Sequence, residues 1–225
     1  MRRRGELYAP AMVLAARQTA GRGRGNNTWF SAAGSLTVTF VLPIDQTMAP
    51  HHVPLAAGLA VRNAAAELTG QEGVGLKWPN DVYFDGRKLA GVLCERLDGV
   101  DLIGVGMNVN RPLGKVPAAL RDRIVFLEDI AGLNQSLTIV GATISRHIHL
   151  MLVRRSETPF PLLLREYDRH HVLVGRRVNV IQAHEPPVSG RCEGLDDSGR
   201  LLVRQGTGRK VLHRIVAGHI ELAGR

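Results

Sequence analysis

The chain has 225 residues, of which 44% are hydrophobic, and a formal net charge of +9 whose excess lies in residues 1–30 and 173–225. This composition supports one large core and a small annex, and it lacks the run of about 18 apolar residues that a membrane-spanning helix needs. We therefore expect two domains of unequal size in a cytoplasmic protein with no membrane association, whose two cysteines are reduced thiols.

The first half of the chain is predicted to combine strands with one helix. Residues 11–17 and 35–43 are apolar or β-branched runs, which predict strands on either side of a glycine-rich loop. Apolar residues recur at helical spacing from Val53 to Leu68, and Gly70 follows, so a core-facing helix is expected there. Short strands separated by turns then predict a sheet that is mainly antiparallel in its second half, at residues 75–78, 82–84, 88–95 and 101–109.

The second half is predicted to begin with helices and to end in a small β-domain. Helical spacing extends from Leu137 to Leu152, and a third helix is expected to start after the prolines of PFPLLLREYDRHH, Pro159 and Pro161. From Val172 the pattern changes to short strands separated by turns, which predicts an all-β barrel of about 50 residues. We therefore place the larger domain at residues 1–171 and the smaller one at residues 172–225.

The segment QTAGRGRGNNTW, residues 18–29, is the first candidate for a binding site. Glycines allow backbone N–H groups to turn toward an anion, and the guanidinium groups of Arg22 and Arg24 can bind a carboxylate or a phosphate in bidentate fashion. Glycine–arginine repeats also occur in disordered RNA-binding segments, but those lack strands on both sides. We interpret this segment as a loop that holds a small anionic ligand.

A second cluster, LKWPNDVYFDGRKLAGVLCE, places an acid and a base on neighbouring strands at residues 76–95. Pro79 breaks the first strand, Asp81 offers a carboxylate at the break, and Lys88 lies on the next strand. A lysine fixed there can neutralise charge that develops at a phosphoryl or acyl group, an effect worth several kcal/mol. Without the neighbouring loop, a hairpin with a solvated lysine and aspartate would explain the pattern equally well. In GVGMNVN, small residues let a strand approach a ligand and Asn108 can hydrogen-bond to it.

Together and in this order, the motifs GRGRGNNTW, KWPND, GRKLAGVL and GVGMNVN resemble those of the biotin protein ligase family over nearly the whole chain. The resemblance implies an α+β fold, with a class II aminoacyl-tRNA-synthetase-like catalytic domain on a mixed, largely antiparallel sheet and a C-terminal SH3-like β-barrel. Enzymes of this family use ATP to activate biotin as biotinyl-5′-adenylate, which a lysine of a biotin carboxyl carrier protein then attacks. ATP, Mg²⁺, biotin and the carrier domain of a carboxylase are the implied ligands and partners.

The resemblance also implies roles for individual residues. Lys88 would contact the biotin carboxylate and a reacting phosphate oxygen, Arg24 would retain the adenylate, and Asp81 would orient the carrier lysine. Trp29 would pack beside adenine, with plain core packing as the alternative, and the ligands of Mg²⁺ are left unassigned. The implied catalytic residues are Lys88, Arg24 and Asp81, the biotin-binding residues are Gln18, Arg22, Gly23, Arg24 and Lys88, and the nucleotide-binding residues are Gly21, Arg24, Trp29 and Asn108.

The start of the chain departs from the family pattern. Family members carry an STN segment upstream of the glycine loop, on the unit that holds the biotin ring, and this sequence begins after it. We expect Met1 to lie inside the helix of that unit, with Gly5 beyond the helix end, so that part of the biotin pocket is absent. The sequence also has no room for a DNA-binding domain in front, so no DNA partner is expected.

Several alternatives stay open at this point. A lipoate or octanoate transferase shares the fold, although those enzymes lack GRGR combined with KWPND. A non-catalytic basic protein could bind RNA through the charged ends of the chain. A degenerate ligase could bind biotin or the carrier protein without turnover. Whether the chain forms a homodimer through its sheet edges is also open.

Overall fold

Two antiparallel sheets organise the part of the chain that the structure describes. The structure is a computed structural model, and it describes residues 8–25, 27–157, 159–183, 185–206 and 211–222. The helix end expected near Gly5 lies outside these residues. Within them, no helix combines the length and apolar character that crossing a membrane requires.

The larger sheet has six strands, and every pair of neighbours is antiparallel. The expected mixed character is therefore limited to isolated parallel bridges, Leu76 with His171 and Lys88 with Ile124. The strand predicted over residues 11–17 ends earlier, since only Ala15 continues the pairing by donating its N–H to the Thr37 carbonyl. In the spatial order β1-β2-β6-β5-β4-β3, the strands are β1 Ala11–Leu14, β2 Ser35–Pro43, β3 Gly75–Lys77, β4 Asp81–Phe84, β5 Arg87–Leu97 and β6 Val100–Asn108.

Helices cover one face of this sheet. The three predicted helices are confirmed, whereas two further helices of four and five residues are too short to show a helical period in the sequence. The first helix carries a proline in its first turn and ends at Gly70, whose φ of 66° only glycine adopts readily. The helices are α1 Val53–Thr69, α2 Ala118–Arg121, α3 Leu127–Ala131, α4 Leu137–Glu157 and α5 Phe160–Arg169.

Side chains along β2 point alternately to the two faces of the sheet, and this shows which face is available for a site. Leu36 is buried near Gly141 of α4, whereas Thr37 and Thr39 point to the opposite face because neighbouring strand residues alternate. An alanine-rich surface of α1 is buried between α4 and the sheet. The helices thus bury one face, and the other face forms the wall of a cavity.

The C-terminal β-domain is confirmed as five antiparallel strands, but the predicted barrel is not closed. In the order β10-β9-β8-β7-β11, the outer strands β10 and β11 do not pair with each other in the described residues. Only residues 216–218 join them, and this link spans at most about 14 Å, whereas a flat five-stranded sheet would separate its edges by about 19 Å. The sheet therefore curls without closing hydrogen bonds. Its strands are β7 Arg177–Ile181, β8 Val188–Leu195, β9 Leu201–Gln205, β10 Val211–Ile215 and β11 His219–Leu222.

The two sheets are joined through one continuous core. Leu76 of β3 donates its N–H to the His170 carbonyl (2.7 Å) and accepts from the Val172 N–H (2.8 Å). The chain thus pairs with the larger sheet at the very residues where we expected the second domain to begin. A domain boundary after residue 171 stays a prediction.

Candidate functional site

A cavity of about 570 Å³ lies on the open face of the larger sheet. Eight of the nine predicted site residues line it, and Gly21 is the exception. Its walls come from separate parts of the chain, which are the glycine-rich loop, strands β2, β4, β5 and β6, residues 120–124, and residues 218–220 of the C-terminal sheet.

The glycine-rich loop is closed by its own backbone hydrogen bonds. The Gly23 N–H donates to the Asn27 carbonyl (2.8 Å), and the Trp29 N–H donates to the Gly21 carbonyl (3.0 Å). A Cβ on Gly21 would lie 2.4 Å from the Trp29 carbonyl oxygen, so only glycine fits this closure. At the loop entrance, the Gln18 N–H donates to Ser31 Oγ (3.1 Å). The structure thus gives Gly21 a place in the loop's closure, and its nucleotide-binding role stays a prediction.

The two arginines of the loop are engaged differently. Arg22 forms an exposed ion pair with Glu95 of β5 at 2.6 Å. Arg24 donates a hydrogen bond to the Gly218 carbonyl of the C-terminal sheet. Burial lowers the pKa of Arg24, and the negative charge of Asp81 opposes that shift. Arg24 is therefore a partly desolvated cation that lines the cavity. An anion bound in the cavity would replace the hydration that the guanidinium group has lost.

Lys88 and Asp81 meet inside the cavity. Lys88 Nζ lies 2.6 Å from Asp81 Oδ1, and both side chains are largely buried. A Cβ on Gly91 would lie 3.1 Å from Lys88 Nζ and 3.3 Å from Asp81 Oδ1, so the glycine leaves the room that the pair occupies. The two groups that the sequence separates by seven positions therefore form one charged unit.

The backbone of Lys88 is fixed on both sides. Its N–H donates to the Arg123 carbonyl (2.8 Å), and its carbonyl accepts from the Val125 N–H (3.0 Å). The same carbonyl accepts a second hydrogen bond, from Asn108 Nδ2 at 3.2 Å. Asn108 is buried, so its amide group supports Lys88 from the floor of the cavity. Its predicted contact with the nucleotide stays a prediction.

Trp29 lies flat against a glycine of the sheet. A Cβ on Gly106 would lie 2.5 Å from Trp29 Cε2, which shows that the indole occupies the space of a missing side chain. Trp29 Nε1 is buried and has no hydrogen-bond partner among the described residues. Lys88 Nζ lies 6.0 Å from the centre of the ring. The indole thus packs on the sheet while it also lines the cavity.

Lys77 and Tyr83 belong to the site although the sequence did not single them out. Lys77 Nζ lies 5.3 Å from the centre of the Tyr83 ring, and both residues line the cavity. Burial lowers the pKa of Lys77, while burial and the charge of Asp81 raise the pKa of Tyr83 to about 12. Lys77 stands opposite Asp81 in the pairing of β3 and β4. The turn at Pro79 within KWPND sets this pairing, so the motif itself could have indicated that Lys77 lies beside Asp81.

Trp78 connects this motif to the C-terminal sheet. The side chain is buried, and Nε1 donates to the Gly199 carbonyl at 3.0 Å. Together with the hydrogen bond from Arg24 to Gly218, it ties two walls of the cavity to the second sheet. No local pattern in the sequence indicates these contacts, because each joins residues more than a hundred positions apart.

Carboxylates that could hold a metal are few. Among the described residues that line the cavity, Asp81 and Glu95 are the only acidic ones, and each is paired with a cation of the chain. In the described residues, no group of three or more His, Cys, Asp or Glu side chains is arranged to hold a metal ion.

Comparisons with known proteins agree with this architecture. Residues 2–110 match the family described as "Biotin/lipoate A/B protein ligase family", and residues 173–222 match "Biotin protein ligase C terminal domain". A biotin–[acetyl-CoA-carboxylase] ligase of Mycobacterium tuberculosis is 31% identical over 209 residues, which are 89% of this chain and 75% of that protein. The bifunctional ligase/repressor BirA of Bacillus subtilis is 31% identical over 228 residues, and the chain spans 66% of its length.

The fold is also similar to that of solved structures. A biotin protein ligase from Aquifex aeolicus in complex with biotin and ATP superposes with a TM-score of 0.85 at 29% sequence identity. The similarity covers 99% of this chain and 93% of that one. The α+β fold that we expected is therefore confirmed. Both family matches, the relatives and the fold lead to one conclusion: the chain belongs to the biotin protein ligase family.

Proposed function

We propose that the chain catalyses the ATP-dependent ligation of biotin to a lysine of a biotin carboxyl carrier domain, through biotinyl-5′-adenylate. The observation that carries this proposal is the Lys88–Asp81 pair at 2.6 Å, inside a cavity that Arg24 and Trp29 also line. The names of the relatives describe biotin ligases, and the Aquifex aeolicus structure is described as a complex with biotin and ATP. Both substrates are therefore proposed for this cavity.

In the first step, a carboxylate oxygen of biotin attacks the α-phosphorus of ATP. The bond from that phosphorus to the bridging oxygen breaks, and pyrophosphate leaves with the electron pair. Two anions must approach each other, so a cation held between them lowers the barrier. Lys88 is suited to this task because its backbone is hydrogen-bonded on both sides and its ammonium group faces the cavity.

In the second step, the carrier lysine attacks the acyl carbon, and the bond to the AMP oxygen breaks. Once Lys88 has turned to the substrate anions, Asp81 can accept a hydrogen bond from the incoming amine and orient it. Arg24 retains the adenylate by binding its phosphate. To do so, the guanidinium group gives up its hydrogen bond to the Gly218 carbonyl. Arg22 and Gln18 complete the biotin side of the site in this proposal.

The remaining ligand assignments follow the same cavity. Trp29 stacks beside adenine, Gly21 and Gly23 shape the loop that covers the phosphate, and the Asn108 amide oxygen faces the nucleotide. Mg²⁺ would enter with ATP and would be held mainly by phosphate oxygens and water, since both cavity carboxylates are paired with cations.

The partner is a biotin carboxyl carrier protein or domain, which follows from the carboxylase in the relatives' names. Cytoplasmic location and the absence of a DNA partner stay predictions from the sequence, which leaves homodimer formation open. The repressor function in the name of the Bacillus subtilis relative is not proposed for this chain.

Biotin-dependent exchange of labelled pyrophosphate into ATP tests the proposal, followed by mass spectrometry of a carrier domain. We expect exchange with biotin and the addition of one biotinyl group to the carrier. Exchange with lipoate or octanoate but not biotin would favour the transferase relatives. RNA binding that falls steeply with salt, without any exchange, would contradict the ligase function.

A further inference from the structure

A short segment after α2 forms an added edge beside Lys88. The Arg123 carbonyl accepts from the Lys88 N–H, and the Val125 N–H donates to the Lys88 carbonyl, which makes a parallel bridge between Lys88 and Ile124. Leu120, Arg123 and Ile124 all line the cavity. The segment that holds the reactive lysine therefore also contributes one wall of the site.

Arg123 brings a positive charge into this wall. Its side chain is exposed, and in the described residues it has no ion pair with a carboxylate. The positive charge of Arg123 acts on two neighbouring groups. Together with burial it lowers the pKa of Lys77, and it opposes the increase that burial causes in the pKa of Tyr83. Arg123 thus faces the same part of the cavity as these residues of β3 and β4.

The charges that line the cavity exceed what an acyl-adenylate needs. The two carboxylates are taken up by ion pairs with Lys88 and Arg22. Arg24, Lys77 and Arg123 are left as cations without a carboxylate in the described ion pairs. The single phosphate of an adenylate carries one negative charge, whereas a nucleoside triphosphate adds several more. The surplus therefore fits a polyphosphate.

The position of Arg123 determines which phosphates of ATP lie near its side chain. If Lys88 stands at the reacting α-phosphorus, the attacking carboxylate and the departing pyrophosphate lie on opposite sides of that atom. Arg123 is held by the segment that brackets Lys88 near the start of β5, whereas the Arg22–Glu95 pair lies at Glu95, seven residues further along the same strand. We infer that Arg123 binds the β- and γ-phosphates of ATP and stabilises pyrophosphate as it leaves. This inference rests on the proposed function.

Arg123→Ala, Arg123→Lys and the control Arg121→Ala test this role. The control removes a nearby arginine that is not among the cavity-lining residues and bonds to the Val116 carbonyl. In pyrophosphate exchange, Arg123→Ala should raise the KM values for ATP and pyrophosphate about 10- to 100-fold, as expected for a lost charge-assisted contact. Arg123→Lys should recover part of the loss, and Arg121→Ala should match the unsubstituted chain.

A second measurement separates this inference from the proposed function. Calorimetric binding of pyrophosphate needs no turnover, and it should weaken in Arg123→Ala even if the chain lacks ligase activity. Transfer from preformed biotinyl-adenylate to the carrier should stay unchanged in that variant, because pyrophosphate has already left. Unchanged pyrophosphate binding would overturn the inference. A raised KM for the carrier in the transfer step alone would also overturn it, because Arg123 would then dock the partner protein.

Discussion

Lys88 and Asp81 point into the same cavity because of a β-bulge between their strands. Asp81 pairs with Gly91 and Val82 with Ala90, but Tyr83 pairs with Lys88, so β5 holds one extra residue at this point. In a regular strand, residues 88 and 91 would face opposite sides of the sheet. The extra residue cancels that alternation and brings the ammonium group to the side of Gly91, next to the carboxylate.

Replacement of the lysine should stop adenylate formation. Lys88→Ala removes the cation between two reacting anions, and we expect biotin-dependent pyrophosphate exchange to fall at least about 100-fold. Arg87→Ala is the matched control, since Arg87 is the preceding residue and is not among those that line the cavity. Exchange at the unsubstituted rate in Lys88→Ala, with an unchanged circular dichroism spectrum, would contradict the role of Lys88.

Replacement of the aspartate should affect the two half-reactions unequally. Asp81→Asn keeps the side-chain shape but weakens the acceptor that orients the carrier amine. Single-turnover transfer from preformed biotinyl-adenylate should slow by about 10- to 100-fold, and pyrophosphate exchange should slow less. The reverse order would mean that Asp81 serves mainly to position Lys88 for the first step.

A methyl group on the sheet should displace the indole. Gly106→Ala places a Cβ 2.5 Å from Trp29 Cε2, which rigid packing does not tolerate, and we expect a cost of about 1–3 kcal/mol in the free energy of unfolding. Gly104→Ala is the control on the same strand, because its Cβ would meet its nearest atom, the Leu93 carbonyl oxygen, at 3.3 Å. Denaturant titration and tryptophan emission measure both effects. Equal emission spectra for the two variants would argue against the stacked position.

Loss of the hydrogen bond between the sheets should lower stability. Trp78→Phe removes the donor to the buried Gly199 carbonyl, and we expect the free energy of unfolding to fall by about 2 kcal/mol or more. Trp29→Phe serves as the comparison, because Trp29 Nε1 has no hydrogen-bond partner among the described residues. This variant should lose less free energy of unfolding than Trp78→Phe. A smaller loss for Trp78→Phe than for Trp29→Phe would show that the contact with Gly199 contributes little.

The cysteines should be unreactive in the folded protein at neutral pH. Burial raises the pKa of Cys94, and burial also raises the pKa of Cys192 to about 11. At pH 8 the thiolate of Cys192 would then form only about a thousandth of the population. Ellman's reagent should titrate both thiols rapidly in denaturant and slowly without it, with the native rate rising as pH increases. Rapid native reaction at pH 8 would contradict this.

The local elements were predictable because their side chains carry a clear period. β2 has the predicted bounds and α1 closely matches them, since each sequence is long enough to show its pattern. The glycine-rich loop was also predictable, because strands flank it. The four-residue helix α2 shows no period, and the outer strands of the C-terminal sheet do not reveal from sequence whether they close.

The cavity itself was predictable only where a motif marked it. Lys88 and Asp81 stand in recognisable segments, so the sequence alone suggested that they act together. Arg123 and Gly218 reach the site through contacts between distant parts of the chain, and no local pattern records such contacts. The β-bulge at Leu89 belongs to the same class, because its effect appears only when β4 and β5 are paired.

The two hydrogen bonds from cavity walls to the C-terminal sheet have a thermodynamic consequence. Arg24 and Trp78 each donate to a carbonyl in a turn of the C-terminal β-domain, at Gly218 between β10 and β11 and at Gly199 between β8 and β9. A ligand that fills the cavity contacts walls from the larger sheet and from residues 218–220, so it binds the state in which both are assembled and stabilises that state. Saturation with biotin and a nonhydrolysable ATP analogue should therefore raise the melting temperature of both sheets together.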